Sequence, residues 1–361
     1  MKTTSLLLLS LSMTLGLLAC ASVGPDYRQP HLDLPSNWQS AQSGKLADVR
    51  AWWASFHDPV LNTLLDAAQK DNPTLVKAAA AIEKARANRS AANAGFFPTL
   101  DAQATATRSG SLGNSAGLTS SSGSLQVSAT SARSSSAGLS SSWEIDLFGK
   151  IRRSSESAGA LEQAREADWY GARVSLVAEA ASTYVDYRAC RIKQKYYEEQ
   201  AGSQSKTSEL TAISARAGFT APADARLAEA SAASTRSTAL AQQAECEVLI
   251  KSLVALTGMK EPLLRQTLGQ DTPSLPQPEG FTVAAVPADL LRLRPDIVSA
   301  ERTLASASAL IGVAEAAHYP SFSLSGSVSL ASTDGTRYQP WSFGPTLTLP
   351  IFSGGRIKAG V

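Results

Sequence analysis

Between Arg153 and Ala217 the chain contains no proline and little glycine, and apolar or small residues recur there at spacings of three and four. That periodicity describes a helix. A helix of about 60 residues extends on the order of 90 Å, since each residue rises ~1.5 Å. An element of that length does not fit inside one large globular core. The surrounding composition agrees, since alanine and serine are abundant while aromatics make up 6%. Such a chain suits long helices that approach closely through small side chains.

The long run stops at "ARAGFTAPAD", Ala215 to Asp224. Gly218 can take the left-handed cap conformation, and Pro222 suits the first position of a second helix. That helix continues to about Thr257, which makes an αα-hairpin with its tip at Gly218 to Thr220. Cys190 lies 28 residues before Gly218 and Cys246 lies 28 residues after it. Across an antiparallel hairpin the two face each other, and a Cys190–Cys246 disulfide is expected, the alternative being two buried thiols turned apart by helix rotation.

Two 27-residue stretches align without a gap, Asn72 to Pro98 and Arg294 to Pro320. Each places a proline at its second position, runs on as an Ala-rich helix, and ends in an aromatic-Pro pair, Phe97-Pro98 and Tyr319-Pro320. After each copy comes alternation of period two, the mark of a strand. In "SFSLSGSVSL", Ser321 to Leu330, five serines fall on one side, and Phe322, Leu324, Gly326, Val328 and Leu330 fall on the other. "TLDAQATAT" sets Leu100 and three alanines opposite Asp101, Gln103, Thr105 and Thr107. "LSSSWEIDL" sets Leu139, Trp143, Ile145 and Leu147 opposite Ser140, Ser142, Glu144 and Asp146. A fourth strand is expected around Phe343 to Ile351. The Ser/Gly-rich stretch up to about Ala137 reads as a long exposed loop.

Each strand is near ten residues, which a tilted membrane strand needs. Trp143, Phe148, Tyr319, Trp341 and Phe352 lie near strand ends, where aromatic girdles sit. No apolar stretch reaches twenty residues, so a membrane crossing is expected to use a closed barrel. The greasy face then meets lipid. Asp101, Gln103, Glu144, Asp146, Ser323 and Ser325 line the water-filled lumen.

The N-terminus carries Lys2, an apolar run from Leu6 to Leu18, and then "LLAC", Leu17 to Cys20. This describes a secretory signal. It resembles a bacterial lipoprotein signal, in which Cys20 would become the lipid-modified first residue, and Ala21 after it suggests release to the outer membrane. The compartment implied is oxidising, which favours the disulfide. A net charge of +2 without a basic tail argues against nucleic acid as a partner. His31, His57 and His318 are scattered without metal-ligand spacing, and no G-x-S-x-G elbow accompanies the serines. The sequence calls for no cofactor, no metal and no catalytic site.

"VGPDY", "WWASFHDPVLNTLL", "WEIDLFGKIRRS" and "LLRLRPDIVSAE" together make the chain similar to the outer-membrane factors of tripartite efflux pumps, in the OprM-like lipoprotein branch of the TolC superfamily. The similarity runs over nearly the whole chain. It implies an α+β membrane protein in which three protomers each give four strands to one β-barrel. Long antiparallel helices would form an α-barrel across the periplasm. The partners implied are two further copies (a homotrimer), a periplasmic adaptor protein, an inner-membrane pump and outer-membrane lipid. In that family the helix–turn tip meets the adaptor, which assigns the role to Arg216, Gly218, Phe219 and Thr220. Arg292, Arg294 and Asp296 read as a structural charge cluster.

The expected organisation is a signal over 1–19, a lipid-anchored extended segment over 20–57, and first-repeat helices over 58–97. Two strands with an extracellular loop follow over 98–148, then the long hairpin over 149–258 and an equatorial segment over 259–293. The second-repeat helix takes 294–319 and the last strands 320–352. Residues 353–361 would open a second hairpin that the family possesses, so the chain reads as C-terminally truncated. The rival readings are a surface-anchored lipoprotein with a coiled-coil stalk, acting as adhesin or scaffold, and a channel of the same fold for protein or metal-ion export.

Overall fold

The computed structural model describes residues 22–30, 49–114, 127–269, 274–277, 291 and 293–361. Cys20, the signal region and Arg292 lie outside the described residues. The chain divides into two compact units. One takes in the N-terminal residues up to Pro30, with Lys84–Gln163 and Glu301–Val361. The other takes in His31–Glu83 and Ala164–Ala300.

In chain order, a 3-10 helix (Val49–Phe56) precedes α1 (Pro59–Asp71) and α2 (Pro73–Ala94), then β1 (Thr99–Asn114) and β2 (Val127–Ile145). Next come α3 (Lys150–Arg216), α4 (Pro222–Thr257), α5 (Glu261–Leu268) and α6 (Pro295–Ala316). The described chain ends with β3 (Ser321–Thr333), β4 (Thr336–Tyr338), β5 (Trp341–Thr348) and α7 (Arg356–Gly360).

The second unit holds the apolar core. Asp58 starts α1 because its Oδ1 accepts from the N–H groups of Val60 and Leu61, at 2.9 and 3.0 Å, with Pro59 at the first helical position. One face of α1 then buries Leu61, Leu64 and Leu65 against Tyr184 of α3, Leu253 of α4 and Leu264 of α5. The segment expected to be extended up to residue 57 is helical from Val49. Trp52, Trp53 and Phe56 meet edge to face there and pack on this core, which gives the turn an apolar reason to form. Buried Asn72 links two elements. Its Oδ1 accepts from the Thr74 N–H, and its amide donates to the Leu256 carbonyl at 2.8 Å.

The repeat is structural. α2 and α6 are each 22 residues long with proline first, and four residues separate each from the strand that follows. The far end repeats as well. "GKIR" and "GRIK" place Gly149 and Gly355 at φ of 83° and 86°, immediately before α3 and α7. Ile151 and Ile357 are buried at matching positions.

Among the described residues α6 is long and apolar enough to cross a membrane by length and composition, which the sequence reading did not expect of any segment. Its buried positions are Ala305, Ser306, Ala309, Gly312 and Ala316, a stripe of small residues at helical spacing. Ser306 exchanges a 2.8 Å hydrogen bond with Ser157, and Gly312 lies under Arg153 and the Val23 carbonyl. Protein, rather than lipid, covers that stripe.

Candidate functional site

Among the described residues the first unit contains one antiparallel sheet. β1 pairs β2, β2 pairs β3, and β3 pairs both β4 and β5, so β4 and β5 together form the fourth strand. The strands are longer than ten residues: β1 has 16, β2 has 19 and β3 has 13. The expected loop up to Ala137 is corrected accordingly. β1 continues to Asn114 and β2 begins at Val127. Pairing satisfies the backbone whatever the side chain, and hydroxyls hydrogen-bond across the ladder, Thr105 to Ser136 at 2.8 Å and Thr107 to Ser134 at 2.7 Å. A Cβ at Gly138 would collide with that of its partner Ser329, so glycine there serves close approach.

Register decides which residues share a face, because directly opposed partners project to the same side. Ala102 opposes Leu139, Leu139 opposes Val328, and Val328 opposes Trp341. Trp143 opposes Leu324, Ile145 opposes Phe322, and Phe322 opposes Leu347. All of these belong to one face, and it is open: Leu100, Leu330, Trp341, Phe343 and Leu347 are each more than 60% exposed. The other face joins Asp101 to Ser140, Ser140 to Ser327 and Ser327 to Ser342. Glu144 opposes Ser323, Ser142 opposes Ser325, and Gln103 opposes Gly138 on the same side. The sheet thus brings together Asp101, Gln103, Glu144, Ser323 and Ser325.

Asp146 is the exception and is corrected. β2 ends at Ile145, and the Asp146 carboxylate turns to the start of α3, where it accepts the Arg152 N–H at 2.9 Å and pairs with the Arg152 guanidinium at 3.3 Å. A carboxylate at a helix N-terminus satisfies groups that a strand cannot offer. Glu144, still on the strand, pairs with Lys150 at 3.0 Å. Of the strand-end aromatics, Phe148 and Tyr319 stack on each other at 4.8 Å, and the Trp143 indole donates to the Phe96 carbonyl at 3.0 Å.

The strand–helix junction holds a feature the sequence reading missed. Residues 22–30 are fastened along it. Val23 donates to the Phe148 carbonyl at 3.1 Å, and Tyr27 and Gln29 both donate to the Glu301 carboxylate. Arg153, 5% exposed, donates to the Val23 and Gly24 carbonyls and to Asp26 and Glu156. Burial alone would lower its pKa, and the two carboxylates more than offset that, so the net direction is upward. The only sequence signal was a second arginine in "GKIRRS".

The hairpin tip lies in the second unit. Gly218 has φ of 80°, its N–H bonds to the Ala215 carbonyl, and Phe219 N–H bonds to Ser214. Thr220 and Ser214 hydroxyls meet at 2.6 Å, while Phe219 is 86% exposed. Arg216 ends α3 and folds back on the Ala212 carbonyl. Below the tip, a groove of about 520 Å³ runs between α3 and α4, floored by Ala212, Ala215 and Ala225 and edged by Arg216, Arg226 and Glu229. Further along, Cys190 and Cys246 are bonded, with Cα atoms 5.6 Å apart. Arg294 and Asp296 form an exposed bidentate pair at 2.7 and 3.1 Å, whose hydrogen bonds lower the Asp296 pKa and raise that of Arg294.

A family model described as outer membrane efflux protein matches residues 64–259 and 286–361. Nodulation protein T of Rhizobium leguminosarum bv. viciae is 33% identical over 352 residues, covering 96% of this chain and 70% of its own length. The solvent efflux pump outer membrane protein SrpC of Pseudomonas putida is 32% identical over 378 residues, covering 100% of this chain and 76% of its own. Among solved structures, the outer-membrane channel OprN superposes with a TM-score of 0.69 at 32% identity, over 93% of this chain and 75% of that one.

Proposed function

The chain belongs to the outer membrane efflux protein family, and on that premise we propose that it is one subunit of a homotrimeric outer-membrane duct. The duct passively carries drugs or other small molecules from periplasm to exterior, in series with a periplasmic adaptor and an inner-membrane pump. It performs no catalysis. The observation that carries this reading is the register of the sheet, which sorts hydroxyls and carboxylates to one face and leaves Leu100, Leu330, Trp341 and Phe343 exposed on the other. Water cannot favour that second face, and hydrocarbon can. The outer edges of β1 and β5 need partners, since an open sheet edge does not stand in lipid. The described strands of one chain leave them unpaired, whereas identical neighbours can pair them, the β1 edge of one copy meeting the β5 edge of the next in a closed ring. A surface-anchored scaffold requires neither the exposed apolar face nor complementary edges.

The remaining assignments follow the same reading. Cys20 carries the lipid. Asp101, Gln103, Glu144, Ser323 and Ser325 face the lumen. Arg216, Gly218, Phe219 and Thr220 meet the adaptor. The exported compound is chosen upstream by the pump. The test is complementation in cells that keep the adaptor and pump but lack their own outer-membrane channel. The chain should restore export of a fluorescent dye and run as a heat-modifiable trimer. Gly218→Asp with Phe219→Ala should abolish export and leave the trimer intact. A protein that carbonate strips from the membrane would sink the channel reading, and unchanged export by the tip variant would sink the adaptor assignment.

A further inference from the structure

The outward face changes character above its apolar band. On β1 the outward positions run Leu100, Ala102, Ala104, Ala106 and then Arg108. On β2 they run from Ile145 through Leu139, Ala137 and Ser135 to Arg133. Arg108 is the direct partner of Arg133. One step nearer the band, Ser135 opposes Ser332, and Ser332 opposes Arg337 on β4. Three arginines therefore share one side of the sheet within roughly 16 Å, given ~4.8 Å between strands and ~3.3 Å per residue. All three are exposed, and none makes an ion pair among the described residues. The Asp334 carboxylate accepts the Arg133 backbone N–H at 2.8 Å from the turn it forms with Gly335.

Like charges set directly opposite destabilise a strand pair unless an anion lies between them. Depth says which anion is available. From Ile145 to Arg133 a strand climbs ~40 Å along its axis, or ~30 Å along the membrane normal at the usual tilt, against an apolar band ~25 Å tall. The arginines thus reach the headgroup layer on the side away from the helices. Resting on the outer-membrane reading above, we propose that Arg108, Arg133 and Arg337 form an annular site for the phosphorylated headgroup of an outer-leaflet glycolipid, with Ser135 and Ser332 as added hydroxyl donors. Guanidinium forks match phosphate oxygens in pairs, and two phosphates on one sugar headgroup match a cluster of three.

The experiment is native mass spectrometry of the purified full-length protein titrated with bisphosphorylated lipid A, its dephosphorylated form, or inorganic phosphate. Each arginine-to-glutamine change should weaken lipid A binding ~5-fold, and Arg108→Gln/Arg133→Gln/Arg337→Gln together ~100-fold. Lysine replacements should retain part of it. Arg337→Gln, on the short hairpin strand, serves as the single test where the triple variant does not assemble. Heat-modifiable mobility confirms assembly of each variant. Equal binding of the dephosphorylated lipid, displacement by millimolar phosphate, or undiminished binding by assembled glutamine variants would overturn the proposal while leaving the channel reading intact. Failure of the wild type to form a membrane-embedded oligomer would instead remove the channel reading, and this site with it.

Discussion

Leu64 of α1 and Leu330 of β3 are the same residue type in opposite circumstances, one fully buried and the other 62% exposed. Around Leu64, Tyr184, Leu253 and Leu264 are also sealed from solvent, and Asp58, Tyr184 and Arg188 pair beside them. Asp58 Oδ2 accepts from the Tyr184 hydroxyl at 2.9 Å, and Arg188 donates to both. That helical unit is stabilised the way any water-soluble core is, by taking apolar area out of water. The sheet buries almost none of its large side chains in a single chain. It instead separates them by face, which has an energetic purpose only where two solvents meet.

Perturbations should therefore act differently in the two regions. The largest effect is expected from the covalent link of the helical unit. Cys246→Ser, or reduction of the Cys190 bond, should lower its unfolding free energy by about 4 kcal/mol in the chain-entropy model. Helical signal during denaturant titration would report this, and the heat-modifiable mobility of the sheet should stay unchanged. Leu64→Ala comes next, at about 3 kcal/mol for a large-to-small change in a packed core. Val328→Lys should cost about 2 kcal/mol in bilayer refolding, because it places a charge on the lipid face. Its neighbour Ser327→Lys, on the polar face, should refold nearly as the wild type does. Equal effects at 327 and 328 would mean that the two faces see the same solvent.

The smallest effect is a pH dependence confined to the helical unit. Hydrogen bonds from Arg265 lower the Glu247 pKa, and those from Lys251 and then Arg265 lower that of Glu261. Carboxylates lowered in the folded state contribute stability above their unfolded pKa of ~4.3, and that contribution is lost as pH falls through the folded values. These groups are solvent-facing, so the slope should be shallow and should flatten in high salt. Arg265→Gln should remove the part that Glu247 contributes and leave the Lys251–Glu261 part, as an acid titration of helical signal would show.

Much of the fold was legible in local pattern. The proline-free run, the Gly218–Pro222 break and the equal spacing of Cys190 and Cys246 around it define the hairpin, because helix geometry is set by residues three and four apart. The paired prolines at 73 and 295 mark both copies of the repeat. The site was legible where alternation was strict, as it is from Ser321 to Leu330. It was not legible from Arg108 to Asn114 or from Val127 to Ala137, where Ser, Gly and Ala look like loop and become strand only because a neighbour accepts their backbone hydrogen bonds.

The sequence by itself therefore determined the periods, the breaks and the sorting of side chains into two faces, since each depends on residues a few positions apart. Tertiary structure decided where the strands end and which charges meet. Asp146 left the lumen set because the start of α3 offered its carboxylate donors. Arg153 gained Asp26 across a separation of 127 residues. Arg108, Arg133 and Arg337 became one cluster only through register. Those pairings depend on which strands and helices become neighbours, and neighbours distant in sequence are chosen by the whole fold rather than by any local window.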